Sequence, residues 1–216
     1  MKQRIVIALM CMILATGVAL AQKTFSFGPK VGLDYTHFGG KNASHGGQLN
    51  YQAGLFMEYR FTDKFSVAPE IVFAAQGGKT DGLVFIPIGA DWTNYTTYAD
   101  ADNIYYMNYI NIPVMLKYYV TPKLSIDFGP QIGFNVYHKC TTKSPGIDYK
   151  KTIDLKDAKK VDFALGLGVT YNITENVFIQ ARYTMGLTDV FKFNKENAFP
   201  IHTKNGNAQI SIGFRF

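Results

Sequence analysis

The chain has 216 residues, of which 47% are hydrophobic, 15% aromatic and only 18% charged. That is length for one large all-β domain or two small ones, and so much Phe, Tyr and Gly beside so little charge excludes a disordered tail and a long coiled coil. The formal net charge of +6 raises nucleic acid as a partner, but the first segment speaks against it.

That segment reads Met1-Lys2-Gln3-Arg4, then an apolar run from Ile5 to Leu20, with Ala19-Leu20-Ala21 before Gln22. A basic start, an apolar stretch and an A-x-A site are the three parts of a secretory signal peptide. Cleavage after Ala21 is expected, with residues 22–216 as a single exported domain and no nucleic-acid partner. Cys11 follows Met10 inside the apolar stretch and lacks the small preceding residue of a lipidation site. Losing 21 of the 216 residues leaves 195, with 20 basic against 16 acidic side chains, or +4. Cys140 is then the one cysteine, which excludes an intrachain disulfide.

No later apolar run reaches the roughly 18 residues of a spanning helix. The apolar residues alternate instead. From Phe25 to Tyr35 every odd position is apolar and every even one is Gly, Ser, Lys or Asp. A period of two means a β-strand with one apolar and one polar face. The same pattern recurs over 51–61, 65–75, 110–120, 124–136, 161–171, 177–187 and 208–216. The stretch 104–120 also carries Tyr105, Met107, Tyr109 and Met115 on its second face. Eight strands are predicted.

The predicted connections are 36–49, 62–64, 77–103, 121–122, 138–160, 172–176 and 188–206, alternately long and short. Short turns force antiparallel neighbours, so the chain runs up and down with all long loops at one end. This asymmetry is that of an outer-membrane barrel with short periplasmic turns and long extracellular loops, and strands of ten to twelve residues suit a tilted crossing. The rival is a lipocalin-like barrel with an apolar lumen.

Two features favour the membrane. The polar face is rich in Gly, including Gly28, Gly32, Gly54, Gly129, Gly133, Gly166 and Gly168, which fits a narrow interior better than a solvated surface. All eleven charged residues of the strands also fall on that face: Lys30, Asp34, Glu58, Arg60, Glu70, Lys117, Lys123, Asp127, Asp162, Arg182 and Arg215. Six are positive and five negative, as a closed lumen of paired charges requires. Glu58, Glu70 and Asp127 are expected to pair with some of Arg60, Lys117, Arg182 and Arg215. Aromatics add belts, with Phe25, Tyr59, Phe65, Tyr118, Tyr171, Phe214 and Phe216 near one rim and Tyr35, Tyr51, Phe73 and Tyr183 near the other. Pro29, Pro69, Pro113 and Pro130 fall within strands, where a missing donor predicts bulges or strand ends.

Several stretches resemble a known family. They are Phe27-Gly28-Pro29-Lys30-Val31-Gly32-Leu33, Asn111-Ile112-Pro113-Val114-Met115-Leu116-Lys117-Tyr118-Tyr119, Phe128-Gly129-Pro130-Gln131-Ile132-Gly133-Phe134, Asp162-Phe163-Ala164-Leu165-Gly166-Leu167-Gly168-Val169 and Ala181-Arg182-Tyr183-Thr184-Met185-Gly186-Leu187-Thr188-Asp189. In order and spacing they are similar to the PorT-like outer-membrane β-barrel family of Bacteroidetes. The resemblance implies fold and location, and for PorT itself a part in gliding and protein secretion.

Side chains fill an eight-stranded barrel, so an open pore is not expected and the lumen charges read as a plug. A lipid acyl hydrolase or transferase is the alternative, needing a nucleophile and a His base at the outer rim. His37, His45, His138 and His202 all lie in or beside long loops, and Ser44 abuts His45, but no acidic orienter is evident. Neither a catalytic residue nor a metal or cofactor site is assigned, and Asp100-Ala101-Asp102-Asn103 lacks the later Gly and Glu of a calcium loop and reads as a solvated turn. A surface-interaction role is favoured, for a monomer. Leu83, Phe85, Ile86, Ile88 and Trp92 make loop 77–103 too apolar for a plain connector. It reads either as a hairpin extending above the membrane and folding over the barrel mouth or as a patch that docks a partner, a surface protein or a secretion component. Seven lysines against three aspartates in 138–160 read first as a solvated loop and second as +4 offered to lipopolysaccharide phosphates. The chain ends in alternation with Phe214 and Phe216, expected to pair with the first strand and to be read by the barrel-assembly machinery.

Overall fold

Residues 25–39, 46–87, 95–144, 149–191 and 203–216 are described by the computed structural model. Alternation drives them into antiparallel strands: β1 (Phe25–Gly39), β2 (Gln48–Arg60), β3 (Phe65–Pro87), β4 (Tyr95–Thr121), β5 (Leu124–Ser144), β6 (Tyr149–Asp154), β7 (Val161–Asn172), β8 (Val177–Gly186) and β9 (Lys204–Phe214). Eight of them close a ring in the order β1-β2-β3-β4-β5-β7-β8-β9, with β9 returning to β1. The seam runs from Lys30 opposite Gly213 to Gly39 opposite Lys204. It is sealed by the Phe216 amide, which donates to the Phe27 carbonyl over 2.9 Å.

The two faces have the polarity of a protein whose solvent is lipid. Leu33, Leu49, Leu55, Ile71, Leu167 and Ile210 point outward and are exposed, whereas Lys30, Asp34, Glu58, Glu70, Asp127 and Arg182 point inward and are buried. A soluble barrel would reverse this. Turns 61–64, 122–123 and 173–176 lie at the same end as Phe25 and Phe216. There Phe65 meets Phe61 and Tyr118, and a chain of rings runs Phe25–Phe27–Phe216–Phe214, with neighbouring centroids 5.1 to 6.3 Å apart.

The structure departs from the predicted elements mainly at the other end. Most of 77–103, counted among the loops but read as a rising hairpin, is the continuation of β3 and β4, paired from Gly77–Tyr106 to Pro87–Tyr95. Segment 138–160 likewise holds the top of β5 and the unpredicted β6, which among the described residues pairs only with β5. Asp100, Asp102 and Asn103 therefore sit on a strand rather than in a turn. A bulge in β5 beside the Asn108–Tyr109 step reverses its alternation, so Val136 and Tyr137 both face out. Lys123 occupies the β4–β5 turn and is exposed, outside the lumen. The four strand prolines make no bulge: the register is unshifted at Pro29, Pro69, Pro113 and Pro130. Closed ladders on both sides hold each proline at a cost of roughly one hydrogen bond, about 1 kcal/mol.

Candidate functional site: a sealed lumen below an outer sheet

Inward parity on eight strands brings the polar side chains into layers. Next to the short turns, Glu58 of β2 is the hub. Its carboxylate lies 3.1 Å from Arg215, 3.4 Å from Lys117 and 3.9 Å from Arg60, and it accepts from the hydroxyls of Ser66 (2.8 Å) and Tyr119. The Arg60 guanidinium stacks 3.9 Å from the Tyr119 ring centroid. Beside this hub Phe56 and Phe178 meet edge to face at 5.0 Å, filling the bore.

The middle layer spans the diameter. Glu70 of β3 takes two bonds from Arg182 of β8, at 2.6 and 3.0 Å, and one from Lys30 of β1 at 2.9 Å. β3 and β8 stand four places apart in the eight-strand ring, so this bidentate pair crosses the barrel. Lys30 also donates to Gln180, and Gln180 to Asp127, at 2.9 and 3.0 Å. Asp127 makes no ion pair among the described residues. Its cross-strand partner Lys117 reaches Glu58 instead, and Ser125, Thr170 and Gln180 satisfy the carboxylate. Asp34 is fully buried in the same part of the lumen, with neither oxygen hydrogen-bonded.

Toward the long-loop end, Asn205 of β9 bonds both the Tyr109 hydroxyl (3.3 Å) and Asp162 (2.9 Å), again across the bore, and Thr188 donates to Asp162. Asn135 donates to Tyr109 and meets His138 Nδ1 at 3.4 Å. Above this an apolar plug of Phe38, Met107, Tyr109 and Val190, flanked by Tyr105, Leu155 and Phe191, closes the mouth. Inward polar partners such as Ser66, Thr170 and Gln180 were visible as members of the polar face. Val190 and Phe191 carry no periodic signal, because they are held by an isolated bridge to Ala158 and by bonds to Lys159 and Thr203 rather than by a strand ladder.

Where lipid ends, outward charges begin. β3, β4, β5 and β6 rise past the barrel as one sheet, and Asp81, Asp102, Lys143 and Lys150 are cross-strand neighbours in a single row on its outer face. Thr142 to Asn103 (2.7 Å), Ser144 to the Asp100 carbonyl (2.6 Å) and Thr141 with Thr152 (3.0 Å) knit the strands together. Leu83, Phe85 and Ile86 lie on the rising part of β3. Ile88 and Trp92 fall outside the described residues, as do Ser44, His45, His202 and the segment 1–21. Of the other histidines, His37 faces outward between Tyr35 and Tyr183. Among the described residues no hydroxyl bonds a histidine.

Residues 20–192 match a family model described as the outer membrane protein beta-barrel domain. Among solved structures the chain is similar to Neisserial surface protein A, at 11% identity and a TM-score of 0.50, over 89% of this chain and 97% of that one. It is also similar to Ail, the attachment invasion locus protein of Yersinia pestis, at 16% identity and a TM-score of 0.43, over 90% of this chain and 100% of that one. Among curated proteins no match was found.

Proposed function

This chain belongs to the outer membrane protein beta-barrel domain family, and on that premise we propose that it is a closed, non-enzymatic barrel that acts through the sheet it displays outside the cell. One observation carries the reading. β4 has 27 residues and β3 has 23, whereas a tilted crossing takes about 9–11. The surplus forms a hydrogen-bonded platform, and the bore beneath it is crossed by Glu70–Arg182 and capped by the apolar plug. A chain that spends this much sequence above the membrane and blocks its own lumen is built for contact, not passage.

The partner class we propose is a surface or secretion protein that docks on segment 83–92, through Leu83, Phe85, Ile86, Ile88 and Trp92. The PorT-like stretches make an accessory part in protein secretion the favoured setting. Signal-peptide cleavage after Ala21, a monomeric barrel and recognition of Phe214 and Phe216 by the assembly machinery belong to the same proposal. The test replaces residues 80–101 with a short turn and compares cross-linked partners on intact cells. The trimmed protein is expected to stay folded in the outer membrane and lose its cross-links, with secretion of exported proteins impaired. Unchanged cross-links in the trimmed protein would refute the reading.

A further inference from the structure

The outer wall around β9 carries a furrow that neither the lumen nor the displayed sheet uses. Two rows of outward side chains cross the strands here, aligned by ladder register. Tyr183, Ala208 and Tyr35 form the upper row, and Ala181, Ile210 and Leu33 the lower. With Leu49, Leu167 and Val169 they line an open furrow of about 760 Å³ that runs over the backbone of Arg182 and Gln209. Ala181 and Ala208 open it. Beside Tyr183, Tyr35, Ile210 and Leu33, one methyl group in each row leaves the two ridges apart.

The furrow is asymmetric along the membrane normal. Its low end is flanked by Ile126 and Val169, both apolar. Its high end reaches Tyr35 and Leu49, beside the long-loop rim, and polar groups start there. His37 stacks on Tyr183 with ring centroids 6.3 Å apart and lies 6.5 Å from the Tyr35 ring. It occupies the space over Gly206, where a Cβ would come within 2.6 Å of the imidazole. One outward position further along β9 is Lys204, exposed at the rim.

We infer that this furrow holds an acyl chain of a phosphorylated glycolipid of the outer leaflet, the lipid A class, with its phosphate at Lys204 and its sugar against the Tyr35–His37–Tyr183 rings. The wall faces lipid, so the occupant is apolar over the furrow. The furrow opens at the extracellular rim, which selects the outer leaflet, and the cation there selects an anionic headgroup. A tail entering the furrow leaves one apolar medium for another, so burial of apolar surface adds little. Selectivity rests on the phosphate–lysine attraction and on packing.

The experiment extracts the full barrel from outer membranes in mild detergent and measures bound glycolipid by native mass spectrometry. Purified lipid A is then rebound with and without its phosphates. The wild type is expected to retain glycolipid, and Lys204→Gln to bind phosphorylated lipid A about fivefold more weakly. Ala208→Trp, or Ala181→Phe if the first variant fails to fold, fills the furrow and loses it. Val114→Trp, outward on β4 across the ring, retains it. Equal retention by the furrow-filled variant overturns the assignment. So does equal binding of dephosphorylated lipid A, or a wild-type dimer that Ala208→Trp converts to monomer, which would make the occupant a second copy.

Discussion

Replacing Glu70 with Gln is the sharpest probe of the lumen. The carboxylate accepts three charge-assisted bonds at 2.6, 2.9 and 3.0 Å, and Glu70, Lys30 and Arg182 have side chains at most 3% exposed. Gln keeps the volume but removes the anion, leaving two buried cations facing an amide. Breaking a buried pair in this way costs roughly 3–5 kcal/mol. Arg182→Met is milder, about 2 kcal/mol, because Glu70 keeps the Lys30 bond while Arg182 takes its own charge away. Asp34→Asn removes an anion that makes no hydrogen bond, and so costs less than Glu70→Gln although the charge change is equal. The quadruple variant Lys30→Met, Asp34→Leu, Glu70→Leu, Arg182→Met, which removes two cations and two anions together, is expected within about 1 kcal/mol of wild type, since well-packed apolar groups replace a buried ionic cluster at little net cost. Urea titration of the refolded barrel, followed by heat-modifiable gel mobility and far-UV circular dichroism, gives each value. If Glu70→Gln falls within about 0.5 kcal/mol of wild type, the ordinary scatter of surface changes, the diametric pair is not what holds the bore.

Deleting Phe214 to Phe216 removes the amide that bonds Phe27 and the end of the aromatic chain at the seam. Heat-modifiability in isolated membranes should show no inserted barrel, whereas deleting residues 145–154, which takes out only β6 and its connection, should leave insertion intact. Normal insertion of the truncated chain would remove the closing-strand role. Gly28→Ala places a methyl group against the Phe214 carbonyl across the same seam and should cost about 1–3 kcal/mol by forcing β9 outward, read by the same urea titration. Planar-bilayer recordings of the purified barrel should show no steady conductance, and stable channels would contradict the sealed lumen.

Much of the fold was legible because the bilayer simplifies the code. Lipid on one side and a narrow polar bore on the other force strict alternation, so the facing of Lys30, Glu58 or Leu167 follows from parity once either face is known. The eight-strand ring and the location follow from that parity and from the spacing of short turns. Above the membrane the constraint is lifted. Thr80, Asp81, Asp102 and Lys143 need no apolar partner face, so the rise of β3, β4 and β5 and the presence of β6 left no periodic trace. Which charges meet was also beyond the sequence. Glu70 and Arg182 are 112 residues apart and face one another only because strand tilt and ring closure bring β3 and β8 to opposite ends of a diameter. Asp127 shows the same dependence from the other side. Its cross-strand neighbour Lys117 is drawn to Glu58, so hydroxyls and an amide take the place of an ion pair, a choice made only when all eight strands stand around one bore.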